Sequence, residues 1–279
     1  MPHTIKKYQF QNVYYFEFGK ALLPFRPAPM TVYCFWLDGL LIDTAQKSMQ
    51  KYVFEMLEPY PIEQIVLTHY HEDHAGNVKN LAEKYQVPVF AGELTAKKIR
   101  DGFKILPYEK ILFNSVPPYE HIQPLPSKIQ TNRYELLPIH TPGHSPDHYV
   151  FLEKKQGWLF SGDFYLGKLR FFRREENIAQ HIESLHKILE YDFEVLFCGH
   201  YPSLRNGKAL MQGKLQYLED FYGKVAQLYA QGKSLKEILK EIEQKEVYWL
   251  KIATFNDVGV DYMIKSVIAN EQQKQQIKI

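Results

Sequence analysis

Residues 68–77 read Thr-His-Tyr-His-Glu-Asp-His-Ala-Gly-Asn, and this run restricts fold and chemistry together. Four side chains of metal-ligating type, His69, His71, Asp73 and His74, fall within six positions. Neutral imidazoles with a carboxylate suit a borderline divalent ion such as zinc. Just before them, Ile65, Val66 and Leu67 are apolar and mostly β-branched, which predicts a buried strand, and residues 77–85 predict a helix. The ligand types therefore lie on a loop at a strand end, in an α/β frame rigid enough to aim them. Side chains two apart in extended chain point the same way, so His69 and His71 face one position. Asp73 and His74 lie beyond that stretch and can turn to a second.

Three further residues sit at predicted strand ends, each preceded by glycine: His144 in Thr-Pro-Gly-His-Ser-Pro, Asp163 in Ser-Gly-Asp and His200 in Cys-Gly-His-Tyr-Pro. Glycine lets the backbone turn and approach an ion closely. Alone, each is an ordinary turn. Beside the first cluster they become candidate ligands, because the ligands a metal still lacks must come from elsewhere in the chain.

The rest of the chain supplies a frame. Strands are predicted at 13–18, 32–37, 40–42 (after an Asp38-Gly39 hairpin turn), 87–90, 134–139, 149–152, 158–160 and 194–197. A helix is predicted from a cap at Asp43-Thr44 to residue 57. Ile178, Ile182, Leu185 and Leu189 predict another by their spacing. Residues 103–133, rich in Pro and Tyr, predict an elaborated loop over a site. Beyond Pro202 the pattern is helical only, with a capping box at Ser234…Glu237, and the polar tail from Glu271 is expected to fray. These features divide the chain into an α/β core over 1–205 and a helical appendage over 206–279, packed on the core.

Taken in order, His-x-His-x-Asp-His, Thr-Pro-Gly-His, Ser-Gly-Asp and Gly-His-x-Pro resemble the metallo-β-lactamase-fold superfamily of metallohydrolases. The resemblance spans residues 30–205. It implies an α/β fold, a four-layer αββα sandwich, with a two-metal site at one edge of the paired sheets. It implies that His69, His71 and His144 hold one metal, that Asp73, His74 and His200 hold the other, and that Asp163 bridges them. Asp43 matches the superfamily's first acidic position, which supports the ligand loop; a helix cap is equally compatible. The implied cofactor is zinc, two ions per chain, with iron or manganese as alternatives. The implied activity is hydrolysis of a small thioester, ester or lactone by a metal-bridging hydroxide that Asp73 orients. A phosphodiesterase or ribonuclease, or a mononuclear-iron sulfur dioxygenase, are the other activities this pattern is similar to. Gly162-Asp163-x-x-Leu166-Gly167 with a helical tail is similar to a branch that contains both hydrolases and a ribonuclease, and a glyoxalase II-like enzyme is a further candidate. Splitting glutathione thioesters needs cations in that tail, where Lys208, Lys214, Lys224 and Lys233 are available but match no family pattern.

Composition narrows the partners. A net charge of +2 gives no support for a broad nucleic-acid surface. With only Cys34 and Cys198, no disulfide framework or Cys-x-x-Cys site is expected. Neither a signal peptide nor a membrane span is predicted, so a cytoplasmic monomer or homodimer acting on a small molecule is the expectation. Tyr165, Lys168 and Arg170 are candidate substrate groups, Tyr165 for an oxyanion and the cations for an anionic group. Arg173 and Arg174 belong to the same charged run as Lys168 and Arg170; a solvated loop is the simpler reading for all four, and a clamp for an anionic group the sharper one. His140 and His148 are expected to support the ligands or pack, and His181 and His186 to lie at the surface or core edge.

Overall fold

The computed structural model describes residues 3–167 and 171–277. One sheet has seven strands in sequence order: Thr4–Phe10 (β1), Val13–Gly19 (β2), Val32–Leu37 (β3), Leu40–Ile42 (β4), Gln64–Val66 (β5), Val89–Ala91 (β6) and Ile122–Pro124 (β7). It is antiparallel from β1 to β4 and parallel from β4 to β7. The second sheet holds Ile129–Gln130 (β8), Glu135–His140 (β9), Tyr149–Glu153 (β10), Trp158–Gly162 (β11) and Val195–Cys198 (β13), in the order β13-β11-β10-β9-β8. A small third sheet pairs Phe172–Arg173 (β12) with Val258–Gly259 (β14).

Side-chain alternation builds four layers. In β3, Val32 and Cys34 face one apolar cluster, while Phe35 and Leu37 face another. In β13, Leu196 and Cys198 point outward, and Val195 and Phe197 point inward. Strands buried on both faces read as unbroken apolar runs. The inner faces meet around Phe35, Phe160 and Phe197; the Phe160 and Phe197 rings stack at 4.8 Å. Helices Gln50–Leu57 (α1), Val78–Tyr85 (α3) and Glu93–Asp101 (α4) cover the first sheet's outer face through Val53, Leu81 and Ile99. The second sheet is covered by Ile178–Leu189 (α6), Gly207–Ala230 (α7), Leu235–Glu241 (α8) and Val260–Ile277 (α10). Three short helices complete the set: Glu72–Ala75 (α2), Pro107–Leu112 (α5) and Tyr248–Ala253 (α9).

Several expectations change. β1 was not foreseen: its lysines obscure the alternation, and such residues protect an edge strand. Asp43 caps no helix. Asp43 and Ala45 both have positive φ, and the chain passes through a 3-10 turn, Lys47–Met49, before α1 starts. The 103–133 loop contains α5, β7 and β8. The polar tail does not fray at Glu271: α10 runs to Ile277, with Tyr222 donating to Glu271 at 2.6 Å. No described helix is long and apolar enough to cross a membrane.

Candidate metal centre

All seven candidate ligands gather where strands of both sheets end. His69 and His71 follow β5, and Asp73 and His74 lie in α2. His144, Asp163 and His200 follow β9, β11 and β13, which run in the same direction. Backbone bonds tie the two sheets together here: Tyr149 N donates to Thr68 O at 2.8 Å, and Tyr33 N donates to Gly199 O at 2.7 Å. Donor atoms of three sets each lie within 4.8 Å of one another: His69, His71 and His144; His69, His74 and Asp163; Asp73, His74 and His200.

Hydrogen bonds at the far side of four of the rings orient their imidazoles. Asp43 accepts from Thr68 N at 2.8 Å and from the Thr68 hydroxyl, which leaves that oxygen to accept from His69 Nδ1 at 3.0 Å. Asp43 Oδ2, which takes the Thr68 hydroxyl, also accepts from His74 Nδ1 at 2.8 Å. Glu175 accepts from His71 Nε2 at 2.8 Å, and the Thr31 carbonyl accepts from His200 Nδ1. Each bond fixes a tautomer and turns the opposite lone pair inward. Three inward nitrogens then crowd together: His71 Nδ1 lies 2.9 Å from His69 Nε2 and 3.0 Å from His144 Nε2. The His69 and His71 lone pairs cannot satisfy one another. Zinc–nitrogen bonds of about 2.0–2.1 Å in a tetrahedron give edges of about 3.3 Å, close to this triangle. In the second set, His74 Nε2 and Asp163 Oδ1 lie 3.0 Å apart without hydrogen-bond alignment, and neither buried atom has another partner. His200 Nε2 is 3.3 Å from both Asp73 and Asp163. Donor types and orphaned atoms therefore both fit cations.

The charges agree with that geometry. Burial, then neighbouring imidazoles, hold His69 well below its usual pKa, so its lone pair is free. Burial opposes the charge on His74, but Asp163, Asp43 and Asp73 outweigh it and raise the ring's pKa. Burial raises the Asp73 carboxyl, yet His74 and His200 bring it down to about 2.

All three glycines leave no room for a side chain; at Gly143 a Cβ would lie 2.6 Å from His181 Cα. A Cβ on Gly199 would sit 2.6 Å from His74 Cε1. Gly162, at φ +46°, would press its Cβ to 2.8 Å from His148 Nε2. His148 itself is buried and accepts from Asp163 N at 3.1 Å, so it positions Asp163.

The cluster opens on a cavity of about 240 Å³ lined by Met30, Phe113, Leu166, Phe171, Leu250 and Val258, among others. Tyr165 does not line it; its ring packs in the outer cluster of the second sheet. Lys168 and Arg170 lie outside the described residues. Arg173 is no solvated loop residue: it lines the cavity and is held by Glu109 and by Asp257, the latter at 3.1 Å. Arg174 is exposed. His181 is wholly buried, contrary to expectation, with Nε2 donating to Phe164 O at 3.0 Å, while His186 is exposed. His140 is exposed. Lys208, Lys214, Lys224 and Lys233 are not among the described lining residues. Sequence reasoning missed Glu175, Glu176 and Thr68. Glu176 Oε2 faces His144 Nδ1 at 3.6 Å, and nothing in the run Arg-Arg-Glu-Glu signals this.

Fold and donor set together define an αββα sandwich with a candidate metal centre at the strand ends. The family model of the metallo-beta-lactamase superfamily matches residues 29–200, more than half of the chain, and the chain belongs to that superfamily. Beta-lactamase-like protein 2 homolog of Drosophila melanogaster is 33% identical over 174 residues, 58% of this chain and 54% of that protein. Hydroxyacylglutathione hydrolase of Bdellovibrio bacteriovorus is 30% identical over 139 residues, 49% of this chain and 48% of that one. The chain thus spans about half the length of these two relatives. A metallo-beta-lactamase family protein of Thermus thermophilus shares the fold, with a TM-score of 0.65 and 18% identity over 96% of this chain and 95% of its own.

Proposed function

We propose that the chain is a dinuclear-zinc hydrolase that cleaves a small thioester, ester or lactone with an uncharged acyl part. One observation carries this reading: Asp163 Oδ2 stands 3.5 Å from His144 Nε2 and 3.3 Å from His200 Nε2, between two groups of inward donors that open onto an apolar cavity. His69, His71 and His144 would hold one ion, Asp73, His74 and His200 the second, with Asp163 between them. Ions there would polarise a substrate carbonyl and lower the pKa of a water towards neutrality.

The chain's own groups do the rest. Asp73 lines the cavity and is ionised at neutral pH, so it can take the proton of the attacking water and return it to the leaving group. Asp43 and Glu175 keep the imidazoles in one tautomer. Leu250 and Thr254, from the helical region beyond residue 206, form part of the cavity wall and exclude water. Arg173 is the one lysine or arginine among the described lining residues, and two carboxylates already occupy it. That argues against a phosphodiester, RNA or glutathione conjugate, each of which brings negative charge.

The test is a screen of purified enzyme on thioesters, lactones, carboxylic esters, phosphodiesters and RNA, with Asp73→Asn alongside. Turnover of the carbonyl substrates, lost in Asp73→Asn, is expected. Activity confined to phosphodiesters or RNA, or full turnover in Asp73→Asn, would overturn the reading.

A further inference from the structure

Lys214 is the one lysine among the described buried residues, with 3% of its surface exposed, and its ammonium has no ion-pair partner among the described residues. It reaches from α7 beneath the Asp163 turn and donates to two successive carbonyls, Phe164 O at 2.5 Å and Tyr165 O at 2.7 Å. The turn needs such a fastening. Gly162, Leu166 and Gly167 all have positive φ, so the chain leaves β11 by a tightly bent path. Among its polar groups, Asp163 N donates to His148, Phe164 N donates to Ser161 O, and Phe164 O also accepts from His181. The Tyr165 carbonyl has Lys214. Burial draws the ammonium down to about 7, opposed by Glu176. A lysine kept there against that tendency is kept by its hydrogen bonds, since removing a buried donor leaves its acceptors unmatched.

We propose that Lys214 is a positioning residue: by clamping the Phe164 and Tyr165 carbonyls it holds the Asp163 carboxylate where both donor sets can share it, and so governs binding of the second ion. The helical region thereby becomes part of the metal centre without contributing a ligand. This rests on the two-ion reading above.

The experiment is zinc titration of Lys214→Met, Lys214→Arg and wild type against a competing chelator, with stoichiometry by native mass spectrometry. Lys208→Met, an exposed residue of the same helix paired with Asp192, is the control. In Lys214→Met the first ion is expected to bind as in wild type, while affinity for the second falls about 10–100-fold, the usual cost of losing a group that orients a ligand. kcat should fall with KM little changed, and excess zinc should restore kcat. Lys214→Arg should recover part of the loss by keeping donors in place. Should Lys214→Met not fold, Lys214→Gln, which keeps one donor, is read in its place with the same outcomes. Wild-type affinity for both ions in the methionine variant would overturn the proposal and leave the two-ion reading intact. Fewer than two ions in wild type would overturn both.

Discussion

Adding one methyl group tests how tightly the second donor set is built. In Gly199→Ala the new Cβ would lie 2.6 Å from His74 Cε1 and 2.9 Å from Asp163 Oδ1, where ordinary contact starts at 3.4 Å. The His74 ring must therefore retreat by about 0.8 Å, the shortfall of 2.6 Å against 3.4 Å, and Asp163 by about 0.5 Å. Asp43 holds the far side of His74 at 2.8 Å, so the ring has little room to yield. Metal–ligand distances tolerate about ±0.2 Å. The displacement exceeds that severalfold, and the three atoms nearest the new Cβ belong to His74, Asp163 and Gly162 rather than to His71 or His144. We expect overpacking to cost about 1–3 kcal/mol of stability, and a misplacement near 1 Å to cost about 100-fold in turnover. The assay is chelator-competition titration beside hydrolysis of the best ester found in the screen. The predicted pattern is one ion held as in wild type and one weakly held. Two ions bound with wild-type affinity in a folded Gly199→Ala protein would refute the packing argument.

Other predictions bear on separate links. Glu175→Gln leaves an amide that can donate to His71 Nε2 and so favours the tautomer with a proton pointing inward; first-ion affinity should fall about 10–100-fold in the same titration, and an unchanged value would show that Glu175 does not set the tautomer. Burial, and then Asp73, push the Glu72 carboxyl from 4.5 up to about 8. Its folded pKa is raised, so it stays protonated in the native chain and the chain loses stability as pH rises through that window. Glu72→Gln mimics the neutral acid. In chelator-treated protein it should gain on wild type by up to a few kcal/mol between about pH 5 and about pH 8 in urea denaturation; a gain independent of pH would contradict the shift. Leu250→Trp narrows the cavity wall, so kcat/KM should fall by roughly tenfold or more for an octanoyl ester and little for an acetyl ester. Equal losses for both would place acyl recognition elsewhere.

The seven donors were legible because their chemistry is local: histidine and aspartate spaced along strand ends, with glycine before three of them. The inner strands were legible for a similar reason, since residues such as Val195 to Cys198 are buried on both faces and must all be apolar. What escaped depends on contacts across the fold. Glu175 meets His71 across 104 positions, and the salt-bridged Arg173 meets Asp257 across 84. A charge run looks solvated until the partners appear. Lys214 was read as a cation for substrate because nothing along α7 shows that a turn lies against it. Asp43 was ambiguous between cap and support, and the positive φ at Asp43 and Ala45, invisible in composition, decided for support. The tail of α10 read as polar because its partner residues, Tyr222 and Tyr229, lie on α7.

The account stands on a pair of cations held by residues from both sheets. Diffraction from zinc-loaded crystals, collected on either side of the zinc absorption edge, tests this directly. The predicted map shows two anomalous peaks per chain, one among His69, His71 and His144 and one among Asp73, His74 and His200, with Asp163 between them. A single peak, or peaks away from these side chains, would contradict it.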